Sequence, residues 1–303
     1  DQPITEILFL MFLFFQSAKY MLRIQSTLRQ FIEATGSLLL HQELKSNLDS
    51  NAVVDPSNPK TPDLSAGITL SNVSVTYPEA DAPALQGIDL SIPNRKTVAL
   101  VGASGSGKTT VANLVCGLIT PSSGSIMLGG DDYSSIRLSE LQKSVGYVTQ
   151  ESSVFNGTLS ENVTFWEQDS DHQRVDEILR QLELRGVGTG TTNGEFADHI
   201  IGGDGAQLSG GERQRLSIAR ELYRHSEILI LDEATSALDS ELEQKIDELL
   251  EEQRGNRTFL IIAHRLSTVK SADLIYVLDN GTVVESGNFD ELVEADGGFA
   301  RMV

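Results

Sequence analysis

The segment Gly102-Ala-Ser-Gly-Ser-Gly107-Lys108-Thr109 limits what this chain can fold into more than any other stretch of it, because it fits G-x-x-x-x-G-K-[S/T]. Such a loop needs a buried strand before it and a helix start after it. Thr97 to Val101 reads as the strand, and Thr109 to Ile119 reads as the helix. The physics requires this order. Glycines let backbone N–H groups curl around a phosphate, and the helix N-terminus adds its partial positive charge. Lys108 would then reach β- and γ-phosphates, and the Thr109 hydroxyl would go to Mg²⁺. A Gly/Ser-rich turn without a ligand is the bland alternative.

A second run, Ile228-Leu-Ile-Leu231-Asp232-Glu233, is four aliphatic residues ending in two carboxylates. A buried strand ending in acid puts an anion at the carboxyl edge of a sheet, beside the phosphate loop, where a metal needs ligands. Asp232 is the candidate metal ligand, and Glu233 the candidate base or water-positioning group. Alone, a strand-end acid is more often a cap, so both assignments lean on the phosphate loop. Leu208-Ser209-Gly210-Gly211-Glu212 sets Ser three residues before Glu, a capping box opening the helix that carries Leu216, Ile218, Ala219 and Leu222. Its two glycines leave a bare helix start that an anion could approach. Taken singly, these residues make a plain capped helix.

The surrounding texture alternates. Strand-like runs at Ile68 to Tyr77, Thr97 to Val101, Val145 to Thr149, Ile228 to Leu231, Phe259 to Ala263 and Leu274 to Leu278 are interleaved with helical patterns. The helices are expected at Thr109 to Ile119, Asp171 to Leu184, Gly211 to Tyr223 and Glu241 to Arg254. Short apolar strands among helices argue for a mainly parallel sheet covered on both faces. With 40% apolar residues in 303, the chain is long and apolar enough for one large core or two smaller ones. Its 43 acidic against 23 basic side chains give a net charge of −20, which argues against a general nucleic-acid binder. A single cysteine, Cys116, excludes an internal disulfide framework and a multi-cysteine metal site, and it reads as a small core residue.

Ile7 to Phe15 is an unbroken apolar run that as a helix covers roughly 14 Å of a hydrocarbon core about 30 Å thick. Alone it cannot span. Lys19, Tyr20, Arg23 and Arg29 follow as a flank suited to the cytoplasmic face of a membrane helix, and apolar residues continue at helical spacing to Leu39. The reading is one long helix that leaves a membrane, against a soluble helix packed on a core. Pro56, Pro59 and Pro62 mark a linker, so the chain divides into residues 1–46, a linker at 47–67, and a domain at 68–303. No basic stretch precedes the apolar run, so a secretory signal peptide is a poor reading, and the chain is expected to be a fragment or a processed product.

Together these segments resemble the nucleotide-binding domain of an ATP-binding cassette (ABC) transporter, over about Ile68 to Val303 and with the motifs in family order. The resemblance implies an α/β fold: a P-loop NTPase core of mainly parallel sheet with flanking helices, an antiparallel β subdomain, and a small helical signature subdomain at about 151–222. A long N-terminal helix precedes it. It implies that Gly102, Ser104, Gly105, Ser106, Gly107, Lys108, Thr109 and Thr110 bind ATP, with Thr109, Gln150 and Asp232 around Mg²⁺. Gln150 matches the Q-loop glutamine, Ser236-Ala-Leu-Asp239 the D-loop, and His264 the switch histidine that contacts the γ-phosphate. Tyr77 stands where the family stacks an aromatic on adenine. Ser209, Gly210, Gly211 and Glu212 match the signature, which in the family holds the γ-phosphate bound to a second, head-to-tail domain.

Departures are few. Glu212 replaces the usual Gln and still makes the capping box; Arg95 stands where a turn glycine is usual; Gly203 stands where exporters carry Glu, with Asp204 a candidate replacement for that contact to the transmembrane domain. The N-terminal helix and the segment Gln150 to Asn162 are similar to exporter half-transporters, in which membrane helices and cassette share one chain and a coupling helix docks near the Q-loop. Two other classes are weighed. A soluble importer subunit would explain nothing before Ile68, and a cassette acting on nucleic acid would usually carry a long insertion, whereas 57 residues separate Gln150 from Leu208.

Overall fold

The computed structural model describes residues 2–50, 56, 59–78, 80–150, 152–184, 200–201, 208–232, 240–263 and 266–302. They belong to two compact units, residues 1–54 and 55–303. The first is the single helix α1 (Gln2–Ser50), 49 residues and so roughly 70 Å long. Its stretch Glu6–Ile32 is, by length and composition, long and apolar enough to cross a membrane. The nine-residue run is thus the front of a 27-residue span. Large apolar side chains from Ile4 to Phe15 are exposed, and the hydroxyls of Ser17 and Thr27 donate back to Phe14 O and Arg23 O, so these two are satisfied within the helix.

The second unit is built on two sheets. Strands β1 (Ile68–Val75), β2 (Leu85–Ile92), β4 (Ser123–Leu128) and β5 (Asp131–Asp132) form an antiparallel sheet in the order β2-β1-β4-β5. Ile68, Leu70, Val73 and Val75 pair with Ile92, Leu90, Ile88 and Leu85 and are buried with them. A register shift between Leu70 and Val73 resets the alternation, and Asn72 there takes a left-handed φ of 48°. The expected strand end at Tyr77 falls back to Val75, because the Thr76 N–H leaves the ladder for Ser122 Oγ and Pro78 follows.

The central sheet has the order β12-β11-β3-β10-β9-β6. Strands β3 (Thr97–Val101), β6 (Val145–Val148), β9 (Ile228–Asp232), β10 (Thr258–Ile262) and β11 (Leu274–Asp279) run parallel, and β12 (Thr282–Gly287) closes one edge antiparallel. Every residue of β3, β9 and β10 is buried, as a sheet covered on both faces demands. Alternate side chains serve two cores. Val98, Leu100, Ile228, Ile230, Leu260 and Ile262 join the antiparallel sheet and α2 (Lys108–Val115), while Ala99, Leu229, Leu231, Phe259 and Ile261 join the helices on the other face.

Those helices are α4 (Leu159–Thr164), α5 (His172–Gln181) and α6 (Gly210–Arg224), which pack on one another, with α7 (Ser240–Glu251) contributing Leu242 and Ile246. A two-stranded ribbon of β7 (Gly157–Thr158) and β8 (Ile200–Ile201) lies in the same region of the chain. Short helices α3 (Leu138–Ser144), α8 (Leu266–Lys270) and α9 (Phe289–Glu294) and a 3-10 turn at Tyr133–Ser135 complete the described elements. The four expected helices are present with shifted ends. α2 stops at Val115 and not at Ile119, because Gly117 turns left-handed at φ 64°, where a Cβ would sit 2.2 Å from Leu138 Cδ1. Asp171 is the N-cap of α5 and not its first turn, accepting from Arg174 N at 3.0 Å. Arg95, at its glycine-like turn, takes φ 58° and donates its N–H to Thr258 Oγ1.

Candidate nucleotide site

Strand parity puts the pieces together. On β9, Ile228 and Ile230 face α2, so Asp232 faces the same way at the strand's carboxyl end. The helix start it meets is that of α2, delivered by the loop that follows β3. Thr109 Oγ1 donates to Asp232 Oδ2 at 3.3 Å, and Asp232 is 8% exposed. On β6, Tyr147 pairs with Ile230 in the register and shares its face, so its hydroxyl reaches the same oxygen, Asp232 Oδ2, at 3.4 Å. Burial, then the Asp232 charge, holds the Tyr147 phenol well above the usual tyrosine range, so it stays a donor.

The loop itself is bent by glycine. Gly102, Gly105 and Gly107 have φ of 146°, 79° and 106°. A Cβ at Gly102 would lie 2.1 Å from Leu278 O, and one at Gly107 2.6 Å from Leu85 Cδ2. Gly107 is the N-cap of α2 and has no side-chain cap to give, so no side chain screens that helix start. Lys108 is buried, and its Nζ donates to Gly102 O and Ala103 O, each at 2.8 Å, which holds the ammonium across the loop. The Ser106 hydroxyl is buried without a hydrogen-bond partner.

A cavity of about 230 Å³ opens here. Ser104, Gly105, Gly107, Lys108, Thr109, Thr110, Gln150 and Asp232 line it, together with Ala84 and Ile262. Gln150 enters from just beyond β6 and is exposed. Tyr77 is 37% exposed, with its hydroxyl 3.4 Å from Thr110 Oγ1, so the adenine-stacking candidate stands beside the first turn of α2. The oxygens gathered at the cavity are a carboxylate, a threonine hydroxyl and an amide, a hard set that fits Mg²⁺. Among the described residues no group of three or more His, Cys, Asp or Glu exists to suit a softer metal.

The signature residues are elsewhere. Ser209 caps α6, with Glu212 N donating to Ser209 Oγ at 3.3 Å and Ser209 N donating to Glu212 Oε2 at 2.6 Å. Glu212 therefore closes the capping box as Gln would. Gly210 and Gly211 form the first turn, and none of Ser209 to Glu212 lines the cavity. Glu233, Asp239 and His264 lie outside the described residues, as do Gly203 and Asp204. Sequence reasoning passed over Tyr147; the signal available to it was the parity of a four-residue apolar strand two positions ahead of Thr149. Cys116 is buried, and burial pushes its thiol up to about 12, which makes it an inert core group as expected.

Residues 85–236, half of the chain, match the family described as ABC transporter, a match that implies ATP binding. The ATP-dependent lipid A-core flippase of Photobacterium profundum is 41% identical over 266 residues, covering 86% of this chain and 44% of the flippase. The protein of the same name from Escherichia coli (strain K12) is 41% identical over 262 residues, 86% of this chain and 45% of its own length. The chain thus spans less than half the length of these relatives. Among solved structures, a bacterial Atm1-family ABC exporter with ATP bound superposes with a TM-score of 0.79 at 32% identity, over 88% of this chain and 47% of that one. Sequence, family and fold agree: the chain belongs to the ABC transporter family and carries an exporter-type ATPase domain.

Proposed function

We propose that this chain is the ATP-hydrolysing motor of an exporter half-transporter, working on the cytoplasmic side of a membrane as a head-to-tail pair. One observation carries the reading: the cavity gathers Lys108, Thr109, Gln150 and Asp232, while the second glycine-rich helix start, capped by Ser209, is absent from it. A twofold pair brings each signature to the other chain's phosphate loop and gives two equal sites. In each, Lys108 binds the β- and γ-phosphates, and Thr109, Gln150 and Asp232 hold Mg²⁺. Bound Mg²⁺ would neutralise charge that develops on the phosphates. Tyr77 stacks on adenine, Glu233 positions or deprotonates the attacking water, and His264 contacts the γ-phosphate, with Asp239 at the pair's interface.

The division into residues 1–46, 47–67 and 68–303 follows from the same reading: the end of a membrane helix, a linker and the cassette. The span Glu6–Ile32 favours this over a soluble importer subunit. The relatives are named for flipping lipid A-core; a cassette is the engine, and the likeness carries the engine and not the cargo.

Complementation tests it. A Lys108→Ala homodimer and a Ser209→Arg homodimer are each expected to be inactive. A mixed dimer holds one doubly damaged site and one intact site, and it is expected to recover ATP hydrolysis. Purified mixed dimers as inactive as their parents, with no ATP-dependent crosslink between cysteines set in the phosphate loop of one Cys116→Ser chain and the signature of another, would overturn the shared site.

A further inference from the structure

Arg220 is 5% exposed on α6, the helix that Ser209 caps. Its Nε donates to Asn162 O at 2.8 Å, its Nη2 to Asn162 Oδ1 at 2.9 Å, and its Nη1 to Ser153 O at 2.6 Å. All three acceptors are amide oxygens, so these bonds fix the shape of a loop and make no charge pair. Asn162, wholly buried, uses the rest of its amide on the same loop: Oδ1 accepts from Phe155 N, and Nδ2 donates to Phe155 O and Thr158 O, each at 2.9 Å. Both backbone groups of Phe155 are thereby clamped by a side chain that Arg220 holds.

The clamp has two ends. On the outer side the guanidinium lies 5.4 Å from the Phe155 ring and 5.2 Å from the Phe165 ring, and Phe155 meets Phe165 and Trp166 edge-on at 5.9 and 6.1 Å. These three aromatics are about half exposed. On the inner side Ser153 is three residues from Gln150, which lines the nucleotide cavity. Three residues reach at most about 10 Å, so the chain keeps Gln150 within that distance of the carbonyl that Arg220 holds.

We propose that Arg220 is a positioning residue that ties Gln150, the Phe155–Phe165–Trp166 plate and the signature helix into one rigid link, so that nucleotide bound at the cavity is felt at Trp166. This rests on the ATPase reading above. Trp166 is the chain's single tryptophan, so its emission reports the plate alone.

The experiment follows Trp166 emission in the full 303-residue chain as MgATP is added, with ATP affinity measured separately by equilibrium binding of radiolabelled nucleotide. Wild type is expected to change its emission on binding. Arg220→Lys, which keeps the charge and loses the planar fork, is expected to bind ATP as before and to lose that change. Gln150→Ala, which alters the cavity lining itself, is read at MgATP concentrations that saturate its own measured binding and is expected to lose the change from the cavity end. The link is overturned if either variant keeps the full emission change, if Arg220→Lys loses ATP affinity along with the signal, or if wild type binds ATP without any change. A wild type that binds no ATP would overturn the motor reading, and this inference with it.

Discussion

Asp232 Oδ2 receives two hydroxyls, from Thr109 and Tyr147, and the two differ in consequence. Thr109 is a proposed ligand of the metal; Tyr147 orients the carboxylate only. Tyr147→Phe is therefore expected to leave ATP binding intact and to cost about 1 kcal/mol at the metal-dependent step, or roughly fivefold in kcat. Steady-state rates against Mg²⁺ concentration check this. Glu221 is a different kind of buried carboxylate. Its Oε2 has no hydrogen-bond partner, and burial raises its pKa although Arg224, Arg220 and Arg257 pull it down. The folded value therefore lies above the unfolded one, so the charged form is what folding disfavours, and stability is lost as pH rises from the unfolded value through the folded one. Glu221→Gln is expected to stabilise the fold by about 1 kcal/mol near neutral pH, with the gain fading as pH falls through the raised folded value and gone below about 4.3, the ordinary glutamate value. Urea midpoints at pH 8 and pH 4 decide it; an equal gain at both would show that burial of the charge is not the cause.

The loop from β3 to α2 is where local sequence and packing agree most closely. Gly107 combines a φ of 106° with Leu85 Cδ2 and Ala84 O at 2.6 and 3.0 Å from where a Cβ would go. Gly107→Ala therefore pairs backbone strain with a clash against β2. It is expected to destabilise the cassette by more than about 1 kcal/mol and to weaken ATP binding; a thermal melt and a nucleotide titration measure the two effects. Other elements were legible only in part. Thr158 with Glu161 and Asn288 with Glu291 close capping boxes at α4 and α9, a spacing as readable as that of Ser209 with Glu212, yet both helices have only six residues and no periodic stripe to flag them. β2 and β4 escape the apolar-run criterion because an antiparallel sheet with one covered face alternates, and bulges against β1 break even that alternation.

The two units place opposite demands on solvent. α1 exposes Phe9, Phe12, Phe14 and Phe15 along a span fit for lipid, whereas the second unit buries its strands on both faces and carries the acid-rich surface. Residues 1–45 hold four basic and four acidic groups, so the whole net charge of −20 lies in residues 46–303. Removing 1–45 is expected to end any need for detergent and to leave ATP affinity unchanged, since no nucleotide motif lies there. Sedimentation with and without detergent, before and after truncation, tests this, and a full chain that is monomeric without detergent would refute the membrane reading.

The phosphate loop, the strand that ends in Asp232, the capping box at Ser209 and the long N-terminal helix were all set by short-range rules. Each depends on spacing within a few residues: glycine where φ turns positive, four aliphatics before an acid, Ser three before Glu, and apolar residues at helical intervals. The order β12-β11-β3-β10-β9-β6 was not, and on that order rests the meeting of Thr109 and Tyr147 at one oxygen of Asp232, 123 and 85 residues away in the chain. Nor could spacing bring Arg220 to Asn162, 58 residues earlier, or give one guanidinium three amide oxygens. Such contacts come from which strands lie side by side and which faces they cover. Hydrophobic burial chooses that arrangement for the chain as a whole, because apolar area is removed from water without regard to separation along the sequence.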